Sequence, residues 1–230
     1  MLLICTLKYG DKYPASMVNR LYHSIKETNL DFKFFCLTEN SQDLDPDINV
    51  LHIEEDLRIW RHWNKLRFFD PEFIGATSDD YTIVMDIDQM FISDPSPLLN
   101  HSVGHGLLSA NRWWINDKKG CPINGGFYKF KSTNMKSVYD RFVEDPDRWM
   151  VHYVNTGAAK VGMGEQNFVC DNSPSVETVP FEMVVKYDAS IINNLCAKYK
   201  AATKKDFIVG GKINKEAILV HFCGMDNKKL

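Results

Sequence analysis

Apolar residues along this chain fall into short continuous runs separated by stretches with helical spacing, the pattern of strands buried on both faces alternating with amphipathic helices. Leu2 to Leu7 is one such run and ends in the polar loop Lys8-Tyr9-Gly10-Asp11. Pro14 suits a first helical turn, Met17, Leu21 and Ile25 recur at helical spacing, and Asn29 ends the pattern. Phe32 to Leu37 predicts a second strand, and Leu57 to Phe69 a helix that turns Leu57, Trp60 and Trp63 inward and carries Arg58, Arg61, Lys65 and Arg67. Tyr81 to Met85 predicts a strand that runs straight into Asp86-Ile87-Asp88, then Met90, Phe91, Ile92 and the turn Ser93-Asp94-Pro95. Gly106 to Ala110 and Gly126 to Phe130 suit strands, Lys136 to Phe142 a helix, and Ala217 to Phe222 the last strand. The alternation predicts one α/β domain over 1–230, with a mainly parallel mixed sheet covered by helices on both faces and antiparallel strands entering in the second half.

The β-α-β opening places the loop around Lys8 to Asp11 at the carboxyl edge of the sheet, where open α/β folds bind ligands. No G-x-G-x-x-G stands at that turn, which argues against a dinucleotide and leaves room for a mononucleotide. Tyr9 either stacks on a base or is an ordinary loop aromatic. Residues 1–100 thus read as a nucleotide-binding half and 101–230 as the second half of the domain.

Composition removes several function classes. Hydrophobic residues make up 44% and charged residues 25%, with a net charge of -3, which fits a globular domain and gives no sign of a nucleic-acid partner. The basic residues Lys198, Lys200, Lys204 and Lys205 fit the solvated face of a helix. Cys5, Cys36, Cys121, Cys170, Cys196 and Cys223 are scattered without a C-x-x-C pair, so they read as buried thiols rather than a zinc site or a disulfide framework. The first apolar run is broken by Lys8 and Asp11, too early for a signal-peptide core, and no later run has the length of a transmembrane segment. A cytoplasmic location follows as the expectation, and Asn100-His101-Ser102 reads as a chance sequon.

The chemistry concentrates at Asp86 and Asp88. Alternate side chains of an extended segment point the same way, so these two carboxylates face one site while Ile87 turns into the core. Such a pair repels itself unless it shares a cation or a proton. Alone, D-x-D serves turn capping equally well; the buried strand ahead of it favours the cation.

In order along the chain, five segments, the fifth in two parts, resemble the GT-A glycosyltransferases, most closely the retaining branch known as glycosyltransferase family 8. Thr6-Leu7-Lys8-Tyr9-Gly10-Asp11-Lys12-Tyr13-Pro14 is similar to that family's nucleotide-binding start, and in Asn64-Lys65-Leu66-Arg67-Phe68 Lys65 stands where the family carries a donor-contacting arginine. Val84-Met85-Asp86-Ile87-Asp88 resembles its metal-binding D-x-D, and Asn124-Gly125-Gly126 its N-x-G turn beside the donor sugar. Glu165-Gln166-Asn167 resembles its acidic-Gln-acidic triplet, and His221-Phe222-Cys223-Gly224 the H-x-x-G that completes the metal site. Asn167 departs from the expected acid, and the family's lysine six residues past the histidine is replaced by Asn227, with Lys228 one further on.

The resemblance implies a single Rossmann-like GT-A domain that moves a sugar from a UDP-sugar to a saccharide or glycan acceptor, with retention of configuration. UDP-glucose and UDP-galactose are the family default, and UDP-rhamnose is a further candidate. It implies Mn2+, or Mg2+, held by Asp86, Asp88 and His221, the imidazole favouring Mn2+. Donor contacts fall to Thr6, Leu7, Tyr9, Lys65, Ile87, Asn124, Gly125, Gly224 and Lys228 beside the two aspartates. Glu165 would bind sugar hydroxyls and Gln166 would lie beneath the anomeric carbon; glutamine is a poor nucleophile, so front-face attack is the expected route. Trp113 and Trp114 suit either an acceptor platform or core packing. The chain is also short enough to be one domain of a longer multidomain protein. Two rival functions stand beside this one: a nucleotide-sugar-binding module without turnover, suggested by Asn167 and the displaced Lys228, and a phosphatase of the haloacid dehalogenase type. The phosphatase would carry D-x-D on its first strand with Thr or Val two residues later, where this chain has Met90.

Overall fold

A computed structural model of the chain describes residues 1–53, 59–111, 121–155, 164–180, 183–186, 207–209, 212–214 and 217–222. The apolar runs pair side by side. Strand β1 (Leu2–Lys8) is buried along its whole length because it has a parallel neighbour on each edge, β2 (Phe32–Thr38) and β4 (Tyr81–Met85), and a core on each face. Strand β3 (Asn49–His52) extends the parallel set beyond β2. On the other side of β4 comes β7 (Ile123–Lys131), antiparallel to both β4 and β6 (Leu107–Asn111), and β8 (Val176–Thr178) closes the edge parallel to β6. The seven-stranded order is β3-β2-β1-β4-β7-β6-β8, a mainly parallel sheet whose antiparallel pairs lie in its second half, as the sequence predicts.

Alternation along β1 splits its side chains between two cores. Leu2 and Ile4 pack with Val18, Leu21, Tyr22 and Ile25 of α1 (Ala15–Lys26). Leu3, Cys5 and Leu7 face the opposite core with Trp63, Phe68 and Phe69, Phe142 of α3 (Lys136–Glu144), Met150 of α4 (Pro146–Asn155) and Phe168 of α5 (Gly164–Asn172). Trp63 stacks on Phe142 with centroids 5.4 Å apart, and Phe69 meets Phe130 at 4.6 Å.

A second, three-stranded sheet runs β5 (Gln89–Phe91), β12 (Leu219–His221), β9 (Val184–Lys186), and β10 (Phe207–Val209) pairs with β11 (Lys212–Asn214). The short helix α2 (Ser96–Leu99) follows β5 and places Leu98 and Leu99 in the α1-side core.

Three expectations need correction. The helix expected over Leu57 to Phe69 is a 3-10 helix over Arg61–Phe69; of the earlier residues, 59 and 60 are described and 57 and 58 are not. Arg61 holds φ 48, a left-handed conformation that an incoming α-helix cannot pass through. Every residue from Trp63 to Phe69 is buried, and Trp63, Leu66 and Phe69 recur at the three-residue period on which 3-10 side chains eclipse. Asn124-Gly125-Gly126, expected as a turn, lies inside β7; there the β7 partner jumps from Tyr128, opposite Ser109 of β6, to Asn124, opposite Ala110, and the skipped β7 residues form the irregularity. Among the thiols, Cys5, Cys36 and Cys121 are buried as expected, whereas Cys170 is only half-buried. Cys196, Cys223, the basic set Lys198 to Lys205, Trp113, Trp114, Gly224, Asn227 and Lys228 lie outside the described residues. Among the described residues no helix is long and apolar enough to cross a membrane.

Candidate functional site

Asp86, Ile87 and Asp88 span the seam between the two sheets. β4 stops at Met85, yet the Asp86 amide still donates to the Gly126 carbonyl at 2.9 Å, and two residues on the Asp88 carbonyl accepts the Phe222 amide at 2.8 Å. The chain thus leaves one sheet and enters the other within three residues. Ile87 is buried in the α1-side core, which turns the flanking carboxylates outward together. β5 then runs antiparallel to β12 with Gln89 opposite His221, so the histidine from the far end of the sequence arrives beside the aspartates.

His221 Nε2 lies 3.1 Å from Asp88 Oδ1 and 3.8 Å from Asp86 Oδ2. One ligand atom from each of these three residues fits within 4.8 Å of the others, a two-carboxylate, one-imidazole set suited to a divalent transition ion. Burial would raise the pKa of Asp88, but the hydrogen bond and charge of His221 outweigh it and hold the carboxyl below its ordinary value. Burial would lower His221, and Asp88 with Asp86 overcomes that and raises it.

A second cluster abuts the first. Lys65, only 5% exposed, donates from Nζ to Asp86 Oδ1 at 3.1 Å and to the Gly125 carbonyl at 2.8 Å, and stands 3.4 Å from Glu165 Oε2. Burial opposes its charge, yet the two carboxylates more than compensate and raise its pKa. Glu165, 2% exposed, is raised because burial favours the neutral acid and Lys65 only partly opposes this. Gln166 Oε1 accepts the Gly125 amide at 3.1 Å; Gln166 Nε2 and Glu165 Oε1 are buried without a hydrogen-bond partner. Gly125 is required here, since a Cβ would come 2.9 Å from Tyr128 Oη and 3.2 Å from Glu165 Oε2.

Of the residues singled out in the sequence, Asp86, Asp88, Lys65, Asn124, Gly125, Glu165, Gln166 and His221 therefore converge. Thr6 is buried with its hydroxyl on the Met85 carbonyl at 2.8 Å, and Leu7 packs in the core, so both side chains brace β1 rather than open to a ligand. Tyr9 is half-buried against that same core, and the next residue, Gly10, with φ 61, gives its amide to Glu39 Oε1. Four neighbours were not singled out as site residues: Lys12, whose Nζ lies 4.6 Å from the Tyr13 ring centroid; Tyr13, whose hydroxyl feels Asp88 and Asp86; Tyr128, whose ring lies 5.8 Å from Lys65 Nζ; and Gln89. Gln89 alone had a legible signal, a polar residue in the apolar stretch that follows Asp88.

No known family model matches the sequence, and no curated protein matches it in sequence either. Its fold is similar to that of solved structures. A galactosyltransferase, LgtC, in complex with donor and acceptor sugar analogs matches over 97% of this chain and 87% of its own, with TM-score 0.59 and 11% identity. An active-site mutant of LgtC matches with TM-score 0.60 and 12% identity, over 98% of this chain and 88% of its own. The glycosyltransferase GlyE of Streptococcus pneumoniae TIGR4 matches with TM-score 0.62 and 11% identity over 98% of this chain, which spans 56% of GlyE. The chain has the fold of these glycosyltransferases.

Proposed function

We propose that this chain is a divalent-cation-dependent glycosyltransferase that moves a hexose or deoxyhexose from a UDP-sugar to a saccharide acceptor. The observation that carries the reading is the convergence of Asp86, Asp88 and His221 on one point, with the buried Lys65–Glu165–Gln166 group directly beside it. The likeness in fold to enzymes that transfer sugars supports it.

Asp86, Asp88 and His221 would hold Mn2+, or Mg2+, which supplies Lewis-acid neutralisation of the charge that gathers on a departing diphosphate. Lys65 adds a fixed positive charge at Asp86, held in place by Gly125 and Glu165, so its orientation costs little at the moment of reaction. Glu165 Oε1 and Gln166 Nε2 offer one acceptor and one donor with no protein partner, the complement of sugar hydroxyls. For the retention that the family resemblance implies, an amide at Gln166, a poor nucleophile, favours front-face attack over a covalent glycosyl intermediate. Tyr9 and Tyr13 supply aromatic surface toward the nucleotide, and the roles of Gly224 and Lys228 in closing over the diphosphate belong to the same proposal.

The test is UDP release from UDP-glucose, UDP-galactose and UDP-rhamnose with and without Mn2+, in wild type, Asp86→Ala and Asp88→Ala. Metal-dependent turnover lost in both variants is the expected result. Unchanged turnover in both would sink the reading, and tight UDP-sugar binding with no hydrolysis or transfer would favour a module that binds without catalysis.

A further inference from the structure

Tyr128 is fully buried beside Phe69, whose ring meets it edge to face at 5.9 Å, and its Oη completes no hydrogen bond of good geometry. A phenylalanine would fill the same slot without carrying an oxygen into the core, where an unpaired hydroxyl is costly. Buried polar groups are nearly always paired, so the oxygen points to a neighbour that it serves.

Gly125 fixes where that neighbour stands. A Cβ on Gly125 would come 2.9 Å from Tyr128 Oη, 3.2 Å from Glu165 Oε2 and 3.1 Å from Gln166 Cβ. The hydroxyl and the Glu165 carboxylate therefore border one small space, which exists because residue 125 has no side chain. The peptide of Gly125 is also the hub of the cluster, since its amide donates to Gln166 Oε1 and its carbonyl accepts Lys65 Nζ. Burial, foremost, pushes the Tyr128 phenol up, and the Glu165 charge adds to it; burial likewise raises Glu165, and the phenol joins Lys65 in opposing that. An ionised carboxylate offers only acceptors, about four lone-pair sites, of which the ammonium of Lys65, 3.4 Å from Oε2, can engage only part. The phenol adds a second donor.

We propose that Tyr128 is a positioning residue for Glu165: its hydroxyl donates to the carboxylate across the space that Gly125 leaves open and, with Lys65, holds Glu165 in one orientation toward the hydroxyls of the donor sugar. This rests on the reading of the chain as a UDP-sugar-dependent transferase in which Glu165 binds the sugar. Tyr128 acts through Glu165, so its effect is confined to the sugar end of the donor.

The experiment is a calorimetric titration in Mn2+ with UDP, and with whichever UDP-sugar the wild type turns over, for wild type, Tyr128→Phe, Glu165→Gln and the double variant. The ratio of the two affinities isolates what the sugar contributes. Tyr128→Phe removes one oxygen, and its melting midpoint should stay within about 4 °C of wild type, the scale of one modest hydrogen bond in a chain of this size. Its affinity for UDP should be unchanged, while its affinity for the UDP-sugar should fall about tenfold, the low end of what a hydrogen bond to a charged group is worth. That loss should vanish in the Glu165→Gln background. A loss below about threefold in Tyr128→Phe overturns the inference, as does a loss of equal size in the Glu165→Gln background or an equal fall in UDP affinity. A Tyr128→Phe chain that melts well below the stated range overturns it too, since the oxygen would then serve the fold. Wild type that binds no UDP, or turns over no UDP-sugar, overturns the proposed function and this inference with it.

Discussion

Lys65→Met tests the electrostatics of the site while leaving all three proposed cation ligands in the chain, although it removes the ammonium that Asp86 Oδ1 accepts from at 3.1 Å. Glu165 is almost wholly buried, its Oε1 has no partner, and the Lys65 ammonium 3.4 Å from Oε2 is the nearest countercharge. At that separation an effective dielectric of about 20 gives an attraction of roughly 5 kcal/mol. Breaking one partner of a buried pair typically costs about 3–5 kcal/mol, because the other charge is left stranded. The two routes agree on about 4 kcal/mol, which for a chain of this size lowers the melting midpoint by roughly 10 °C. The sign with pH follows from Glu165. With Lys65 gone, its folded pKa rises further above the unfolded value of about 4.3, the native state binds the proton more tightly, and stability falls as pH rises through the folded pKa. The deficit is therefore largest at alkaline pH and closes as pH falls toward the unfolded value. Thermal and urea unfolding followed by circular dichroism at pH 5 and 8 measure it, with Lys65→Met/Glu165→Gln as the companion that removes the stranded charge. A deficit below about 1 kcal/mol at pH 8, or one that persists undiminished in the double variant, would refute the reasoning.

Other perturbations reach neighbouring parts of the frame. Gly126→Ala puts a methyl 2.6 Å from His221 Cε1 and 2.7 Å from Gln89 Nε2, so it should cost about 1–3 kcal/mol by overpacking and weaken Mn2+ binding; an unchanged midpoint and titration would contradict it. Burial, helped by Lys65 and Arg61, pushes His62 down to about 3, so between its unfolded value of about 6.5 and that pKa the unfolded chain takes the proton first. Stability should fall as pH drops through that window, and His62→Gln should flatten the slope; an identical slope counts against the assignment. Asn64 Nδ2 donates to the Ile59 and Arg61 carbonyls, each at 3.0 Å, and clamps the left-handed bend ahead of the 3-10 helix. Asn64→Ala should lose about 1–3 kcal/mol in urea unfolding, and a loss near zero would show that the clamp is dispensable.

The long buried strands were legible because both of their faces are apolar. Tyr81 to Met85 matches β4 residue for residue, and β1 and β2 differ from expectation by one residue at an end. Edge strands carry no such signal: Asn49–His52 and Val176–Thr178 are short and partly exposed, with their pairing decided by neighbours far away in sequence. The Arg61–Phe69 segment misled for a different reason, since burial on every side erases the polar face from which a helical period is read. In the site, Asp86 and Asp88 were legible from the strand ahead of them, whereas the burial of Lys65 and its contact with Glu165 arise only when a 3-10 helix and α5 meet over β7. Gln89 escaped notice because a single glutamine after an aspartate pair means little until its cross-strand partner is known to be His221.

That partnership has a consequence for the order of assembly. The parallel strands β1, β2 and β4 draw on the first part of the sequence, and Asp86 and Asp88 leave the ribosome with them. His221 comes from the last described strand, and until β12 docks against β5 the two aspartates stand at the end of β4 without it. Contacts between such distant segments close late, because the entropy of the intervening loop must first be overcome. A nascent or truncated chain lacking β12 is therefore unable to complete the three-residue cluster, so cation uptake would report that β12 has docked against β5.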